Sequence, residues 1–312
     1  MTKIAIIQQA PSVLDREATL DKACRLISEA AAEGAELIVF PEAFVPGYPA
    51  WVWRLRPGGD WGLSETLHQR LLDNAVDLAS DDLQPVRRAA SEAGVTLVMG
   101  INERDGRVGR TTLYNSAVVI GPDGGILNHH RKLMPTNPER MVWGFGDASG
   151  LRAVDTPVGR IGVLLCWENY MPLARFALYA QGIDIHIAPT YDSGESWLGT
   201  LQHIAREGGC WVIGAGVALR NRDMPGDLPE RERLYPSAED WINPGDSMVV
   251  APGGERVAGP LHQQQAILYA EIDTAQAASA RRTFDVAGHY ARPDVFTLKV
   301  DRRAQSPVEF EG

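Results

Sequence analysis

Three ionisable side chains border short apolar stretches: Glu42 after Leu37-Ile38-Val39-Phe40-Pro41, Cys166 after Ile161-Gly162-Val163-Leu164-Leu165, and Lys132 of His129-His130-Arg131-Lys132-Leu133-Met134-Pro135-Thr136 just before an apolar, Pro-containing loop. A free thiol is mostly protonated at neutral pH, so a nucleophilic cysteine needs a base to take its proton or a cation to hold its thiolate. Glu42 offers the first and Lys132 the second. Plainer readings stand beside these: Cys166 as a small hydrophobe closing a core strand, Lys132 as part of a solvated basic turn. The rival chemistry is a Cys–His pair, for which His129, His130 and His289 are available, but none of them ends a strand as Glu42 does.

A carboxylate, an amine and a thiol so far apart in sequence form one site only if their strands lie side by side. The run 160–165 reads as a strand buried on both faces, and Pro172 followed by Leu173-Ala174-Arg175-Phe176-Ala177-Leu178 reads as a helix, which puts Cys166 on a strand-to-helix junction. In α/β sheets ligands gather at that end of a strand. Pro41 marks the exit of the strand that carries Glu42. Ahead of it, Lys3–Gln8 reads as a strand and residues 14–34 as a helix with one apolar stripe, an opening β-α-β. More helix is expected over 66–94, ended by Gly94, then a strand from Val95 and a hairpin over 112–128 turning at Gly121-Pro122-Asp123-Gly124-Gly125. Beyond the cysteine come a strand at 183–190, a helix near 197–208, a strand from Cys210, and two last strands at 247–251 and 266–272. The alternation gives α/β with mixed pairing. Two stretches escape it, 51–62, rich in Trp, Arg and Gly, and the charged segment 221–241; both read as surface loops.

Pro41-Glu42, then His130-Arg131-Lys132-Leu133-Met134-Pro135-Thr136, then Cys166-Trp167-Glu168-Asn169 resemble the signature segments of the nitrilase (carbon-nitrogen hydrolase) superfamily. Phe44-Val45-Pro46-Gly47-Tyr48-Pro49, Glu139-Arg140-Met141-Val142-Trp143-Gly144 and Gly288-His289-Tyr290-Ala291-Arg292-Pro293-Asp294 resemble its nitrile-hydrolysing branch, as does Trp rather than Tyr after the cysteine. The resemblance runs from about Lys3 to Asp273 and implies an α-β-β-α sandwich, two stacked mixed sheets with helices outside. It implies a nitrilase that turns a small nitrile and water into acid and ammonia through a cysteine thioester, with Cys166 as nucleophile, Glu42 as base and Lys132 as fixed cation. The alternatives within the family are an amidase or carbamoyl hydrolase and a cyanide-hydrolysing relative; outside it, a silent binding protein that kept the fold. Glu139 is a second carboxylate close to the site in this family, placed to orient Lys132 or water, or else a helix-start acid. The backbone N–H of Trp167 suits the developing anion, and Tyr48, Trp143, Thr190 and Tyr191 are expected pocket walls. The Trp-rich loops suggest room for an aryl or aliphatic group. Glu168 and Asn169 read as supports of the site or, more simply, as solvated or helix-capping residues.

The family also pairs its subunits, which implies at least a homodimer. The two irregular stretches resemble segments that add subunit contacts, extending the expectation to higher, even helical, oligomers; the short tail argues against long filaments. A catalytic domain over 1–276 and a C-terminal extension over 277–312, packed on it or on a neighbour, are expected.

Bulk properties narrow the alternatives. With 312 residues, 45% apolar, one large domain is expected. A net charge of -10 argues against a nucleic-acid partner. Three cysteines, none in a Cys-x-x-Cys pair, argue against a disulfide framework or structural zinc, and neither a metal nor another cofactor is expected. Cys24 and Cys210 are expected in the core. The chain starts directly on a strand, and no apolar run is long enough to span a membrane, so a cytoplasmic location is the expectation.

Overall fold

The computed structural model of the chain describes residues 1–106, 110–306 and 308. Strand β1 (Thr2–Gln8) leads into helix α1 (Arg16–Ala32), which the Asp15 side chain caps by accepting from the Ala18 N–H. Strand β2 (Leu37–Val39), helices α2 (Trp61–Asp73) and α3 (Gln84–Ala93), strand β3 (Thr96–Arg104) and the hairpin β4 (Leu113–Ile120) and β5 (Ile126–Arg131) complete the first half. In the second half, β6 (Val154–Thr156) and β7 (Gly159–Val163) precede a 3-10 turn at Cys166–Tyr170 and helix α4 (Pro172–Tyr179). Strand β8 (Ile185–Thr190), helix α5 (Glu195–Gly208), strands β9 (Trp211–Gly216) and β10 (Ala218–Arg220), helix α6 (Arg231–Leu234), strands β11 (Trp241–Val250), β12 (Arg256–His262) and β13 (Ala266–Ile272), and helix α7 (Ala275–Thr283) follow.

The strands form two sheets, ordered β13-β1-β2-β3-β4-β5 and β10-β11-β9-β8-β7-β6, with β12 hydrogen-bonded to β11. Strand alternation divides each sheet's apolar residues between its two faces. Ile4, Ile6, Val39 and Val98 of the first sheet meet Ile161, Val163, Ile187 and Ile213 of the second in one buried layer. The opposite faces pack outward, Ile38 and Leu97 against α1 and α3, and Val212 and Met248 against α4 and α5. The result is the expected α-β-β-α sandwich. Fully burying each of these aliphatic side chains contributes roughly 1.5–3 kcal/mol, so the inter-sheet layer is what fixes one sheet over the other.

Several expectations need correction. β6 was not foreseen because three residues, none of them buried, are too few to carry a readable pattern. β12 was hidden by Gly259-Pro260, which reads as a breaker; the strand tolerates proline because it pairs only with β11, at an edge. Cys24 is half-buried rather than a core residue, whereas Cys210 is buried. Helix α7 docks on the second sheet's flank, with Arg281 donating to the Ile183 carbonyl and paired with Asp184. Of the C-terminal extension, positions 307 and 309–312 lie outside the described residues.

The two irregular stretches are not separate surface loops. Trp51, Val52 and Leu55 share one buried cluster with Met224, Leu228, Leu234 and Tyr235. Arg54 donates to the Leu234 carbonyl and lies 4.6 Å above the Tyr235 ring, and Arg233 pairs with the buried Asp60 at 3.4 Å. Their high polar content hid the spaced apolar residues that join them. Among the described residues no helix is long and apolar enough to cross a membrane.

Candidate active site

Glu42 leaves β2 in a tight turn, and Ala43 after it has a left-handed φ of 49°. Gly100 on the neighbouring β3 makes room for that turn: a Cβ there would lie 2.6 Å from the Ala43 nitrogen and 2.9 Å from the Glu42 Cα. Lys132 directly follows β5, its N–H donating to the Asn115 carbonyl at 2.8 Å. Cys166 opens the 3-10 turn that follows β7 of the second sheet, with φ at 50°. A left-handed conformation at a non-glycine residue costs on the order of 1–3 kcal/mol, so the turns carrying both groups hold local strain that the surrounding packing sustains.

The side chains converge. Lys132 is buried, and its ammonium donates to Glu42 Oε1 and Glu139 Oε2, each at 2.8 Å. Glu42 Oε1 also accepts from Asn115 Nδ2 at 2.7 Å, and Oε2 accepts from the Tyr191 N–H at 2.7 Å. A carboxylate has about four acceptor positions, so these three donors leave one for another proton. Glu139 Oε1 accepts from the Tyr48 hydroxyl at 2.7 Å, while Oε2 also accepts from the Thr136 N–H at 2.6 Å. Glu139 is therefore both a capping acid of its own 3-10 turn and a partner of Lys132. Ligand atoms of Glu42, Glu139 and Cys166 all lie within 4.8 Å of one another.

Burial decides the protonation of this group. It pushes the Cys166 thiol well up, and the charges of Glu42 and Glu139 add to the push against Lys132 and the Thr190 hydrogen bond. Cys166 is therefore a neutral thiol at rest, not a stored thiolate. Glu42 is also raised, by burial first and by Glu139, against the pull of Lys132. Burial alone would lower Lys132, but the negative charges of Glu42 and Glu139 raise it, and it stays an ammonium. Two carboxylates and a thiol could in principle take a metal ion; here the Lys132 ammonium already bridges the two carboxylates and supplies the positive charge.

Around the thiol lies a cavity of about 110 Å³, lined by Tyr48, Trp53, Thr136, Glu139, Cys166, Trp167, Tyr191 and Asp192. Tyr48 and Tyr191 line the cavity; Thr190 hydrogen-bonds Cys166 and is not part of that lining. Trp143 stands one layer back, edge-on to Tyr48 at 5.4 Å and bonded through Nε1 to Asn102 at 3.0 Å. Trp167 is half-exposed at the mouth, its Nε1 donating to Asp192 at 2.8 Å. The cavity is smaller and more acidic than the sequence suggested. Among the described residues no histidine lines it: His129 lies 2.6 Å from Glu103 and His130 3.1 Å from Glu168.

Two residues open to a supporting or a capping role in the sequence are buried beside the site. Glu168 is buried, not solvated; Oε2 accepts from the Leu165 N–H and Oε1 from the Leu133 N–H, each at 2.7 Å. One carboxylate thus ties the residue before Cys166 to the residue after Lys132. Asn169 is buried too, donating to the Cys166 carbonyl at 2.8 Å and accepting from His186 at 2.6 Å. Asn115, the acceptor-fixing amide beside Glu42, was missed, though a polar residue within the buried strand β4 is a signal for a polar partner.

Residues 3–282 match the carbon-nitrogen hydrolase family. The chain belongs to that family. It is a hydrolase acting on carbon–nitrogen bonds, and full-length relatives agree. An aliphatic nitrilase of Sinorhizobium fredii is 44% identical, with 99% of each chain covered. The bifunctional nitrilase/nitrile hydratase NIT4A of Lupinus angustifolius is 40% identical over 99% of this chain and 88% of its own. Among solved structures, a carbon-nitrogen hydrolase from Helicobacter pylori has the same fold, with a TM-score of 0.70 and 23% identity over 94% of this chain and 96% of its own.

Proposed function

We propose that this carbon-nitrogen hydrolase is a nitrilase, converting an organic nitrile and two water molecules into the carboxylic acid and ammonia. The observation that carries the mechanism is a buried thiol within 4.8 Å of a buried carboxylate, and burial raises the proton affinity of both. Glu42 takes the Cys166 proton as Sγ attacks the nitrile carbon, and returns it to the nitrogen, giving a thioimidate. Lys132 faces the negative charge that grows on that nitrogen, with the Trp167 N–H as second donor. Water adds to the thioimidate, its proton passing through the carboxylate; the carbon–nitrogen bond breaks and ammonia leaves a thioester. A second water releases the acid and restores the thiol. Glu139 holds Lys132, and through the Tyr48 hydroxyl it also holds one wall. The full-length nitrilase relatives support the nitrile as substrate.

Around this chemistry we place residues 1–276 as the catalytic unit and 277–312 as an extension packed on it or on a second subunit, in a cytoplasmic homo-oligomer. Large apolar side chains left open, Trp61 at 67% and Phe296 at 77%, support a partner subunit. The test is to incubate the protein with a nitrile and with its matching amide and to measure ammonia from each. Ammonia and acid from the nitrile, lost in Cys166→Ala, are the expected result; ammonia from the amide alone would make the protein an amidase instead.

A further inference from the structure

One pair of rings forms part of the wall of the cavity at Cys166. Tyr48 and Tyr191 are stacked face to face, centroids 3.6 Å apart and planes 5° from parallel. Neither ring is free to swing. The Tyr48 hydroxyl donates to Glu139 at 2.7 Å and accepts from Trp53 Nε1 at 3.0 Å. Tyr191 is held along its backbone, its N–H donating to Glu42 and its carbonyl accepting from Asn243 Nδ2. Its ring packs against the buried cluster built from the two irregular stretches, which contains Trp51, Leu234 and Tyr235.

The two tyrosines differ in what the site asks of them. Tyr48 serves through its hydroxyl, so its side chain cannot be removed without releasing Glu139. Tyr191 serves Glu42 through its backbone N–H, which any residue but proline supplies. Its ring is therefore left to shape the cavity. At about 110 Å³ the space falls well below the ~300–1,000 Å³ of pockets for drug-sized ligands. The lining carries the carboxylates of Glu139 and Asp192 and, among its described residues, no lysine or arginine, and Lys132 beneath it is already shared by two acids. A substrate bearing its own carboxylate would meet only like charge there.

From this we infer that the Tyr191 ring sets the upper size of the substrate and confines the site to short, uncharged nitriles. The inference rests on the nitrilase reading, so the experiment has one arm that needs no turnover. The first arm compares kcat/KM for propionitrile and benzonitrile in the wild type, Tyr191→Ala, Tyr191→Leu and Tyr191→Phe. The second compares rates of Cys166 alkylation by iodoacetamide and by its N-benzyl derivative in the same proteins, read by mass on the Cys166 peptide so that Cys24 and Cys210 do not contribute.

The wild type is expected to favour propionitrile and the smaller reagent. Tyr191→Ala shifts both ratios toward the aryl partner by about tenfold or more, the lower end of what fitting a group into a pocket yields. Tyr191→Phe, which keeps the ring, keeps the wild-type ratios. Tyr191→Leu carries the same judgement if the alanine variant does not fold. Ratios within about twofold of wild type in the folded ring-deleted variants, or a wild type that takes both sizes equally, overturn the size limit. If no variant releases ammonia from any nitrile while the bulky reagent gains access in Tyr191→Ala, the size limit stands and the nitrilase reading falls.

Discussion

Arg131 and Lys132 are neighbours at the end of β5, and they serve opposite ends of electrostatic design. Consecutive side chains on a strand point to opposite faces. Arg131 binds Glu103 through both oxygens and Asp105 at 2.8 Å, with its guanidinium 3.9 Å over the Tyr114 ring. Glu103 also accepts from the Ser116 hydroxyl, and His129 lies 2.6 Å away. Burial alone would raise Glu103, but these donors overcome it and hold the carboxyl at about 2. One residue on, Lys132 is shared between two buried carboxylates, and Glu42 ends up raised. The pairs look alike in a catalogue of ion pairs. Where donors outnumber the carboxylate it is locked as an anion and serves structure; where one cation is divided between two carboxylates, one of them keeps an appetite for a proton.

The largest break in that comparison should come from Lys132→Met. It leaves Glu42 and Glu139 buried without their cation, which is expected to cost roughly 3–5 kcal/mol in denaturant unfolding as well as turnover. Wild-type stability would mean that the lysine does not hold the two acids together. Next in size is Glu139→Gln. Removing its negative charge relieves Glu42, so the proton affinity of Glu42 falls, kcat drops by about 10²-fold or more, and the acid limb of the pH–rate profile moves to lower pH. A limb that stays in place would show that Glu139 does not tune Glu42.

Glu103→Gln should behave in the contrary way: a stability loss of about 1–3 kcal/mol, with kcat within a few-fold of wild type. Loss of turnover with intact stability would erase the distinction between the two regions. The smallest effect is its pH dependence. A depressed carboxyl stabilises the fold fully above the ordinary carboxylate value of 4.5 and loses that contribution as pH falls toward about 2. The difference in unfolding free energy between wild type and Glu103→Gln should therefore shrink across that window; a difference unchanged at the acid end would mean that Glu103 is not held as an anion.

Much of this arrangement was legible before any coordinates. Apolar runs stopping at Glu42 and Cys166 marked strand ends, and the alternation of strands and helices marked a layered α/β fold. The two readings open for Glu139, turn acid and lysine partner, turn out to describe the same carboxylate, one oxygen of which does both. What stayed hidden depends on contacts between distant segments. Nothing local to Glu168 says that it grips Leu133 on the other sheet, and nothing in Gly100 says that the Glu42 turn leans on it. The balance between burial and Lys132 at Glu42 needed the position of Glu139. The size of the pocket needed the Tyr48–Tyr191 stack, which joins residues from two separate turns.

The central claim is that Glu42 takes the proton of a thiol that is neutral at rest. Alkylation of Cys166 by iodoacetamide at neutral pH, compared between wild type and a folded Glu42→Gln variant, reads this directly because it requires no substrate. The account predicts a rate about 10²-fold or more slower in the variant, recovered only at strongly alkaline pH where the thiol ionises by itself. Equal rates in the two proteins would contradict it.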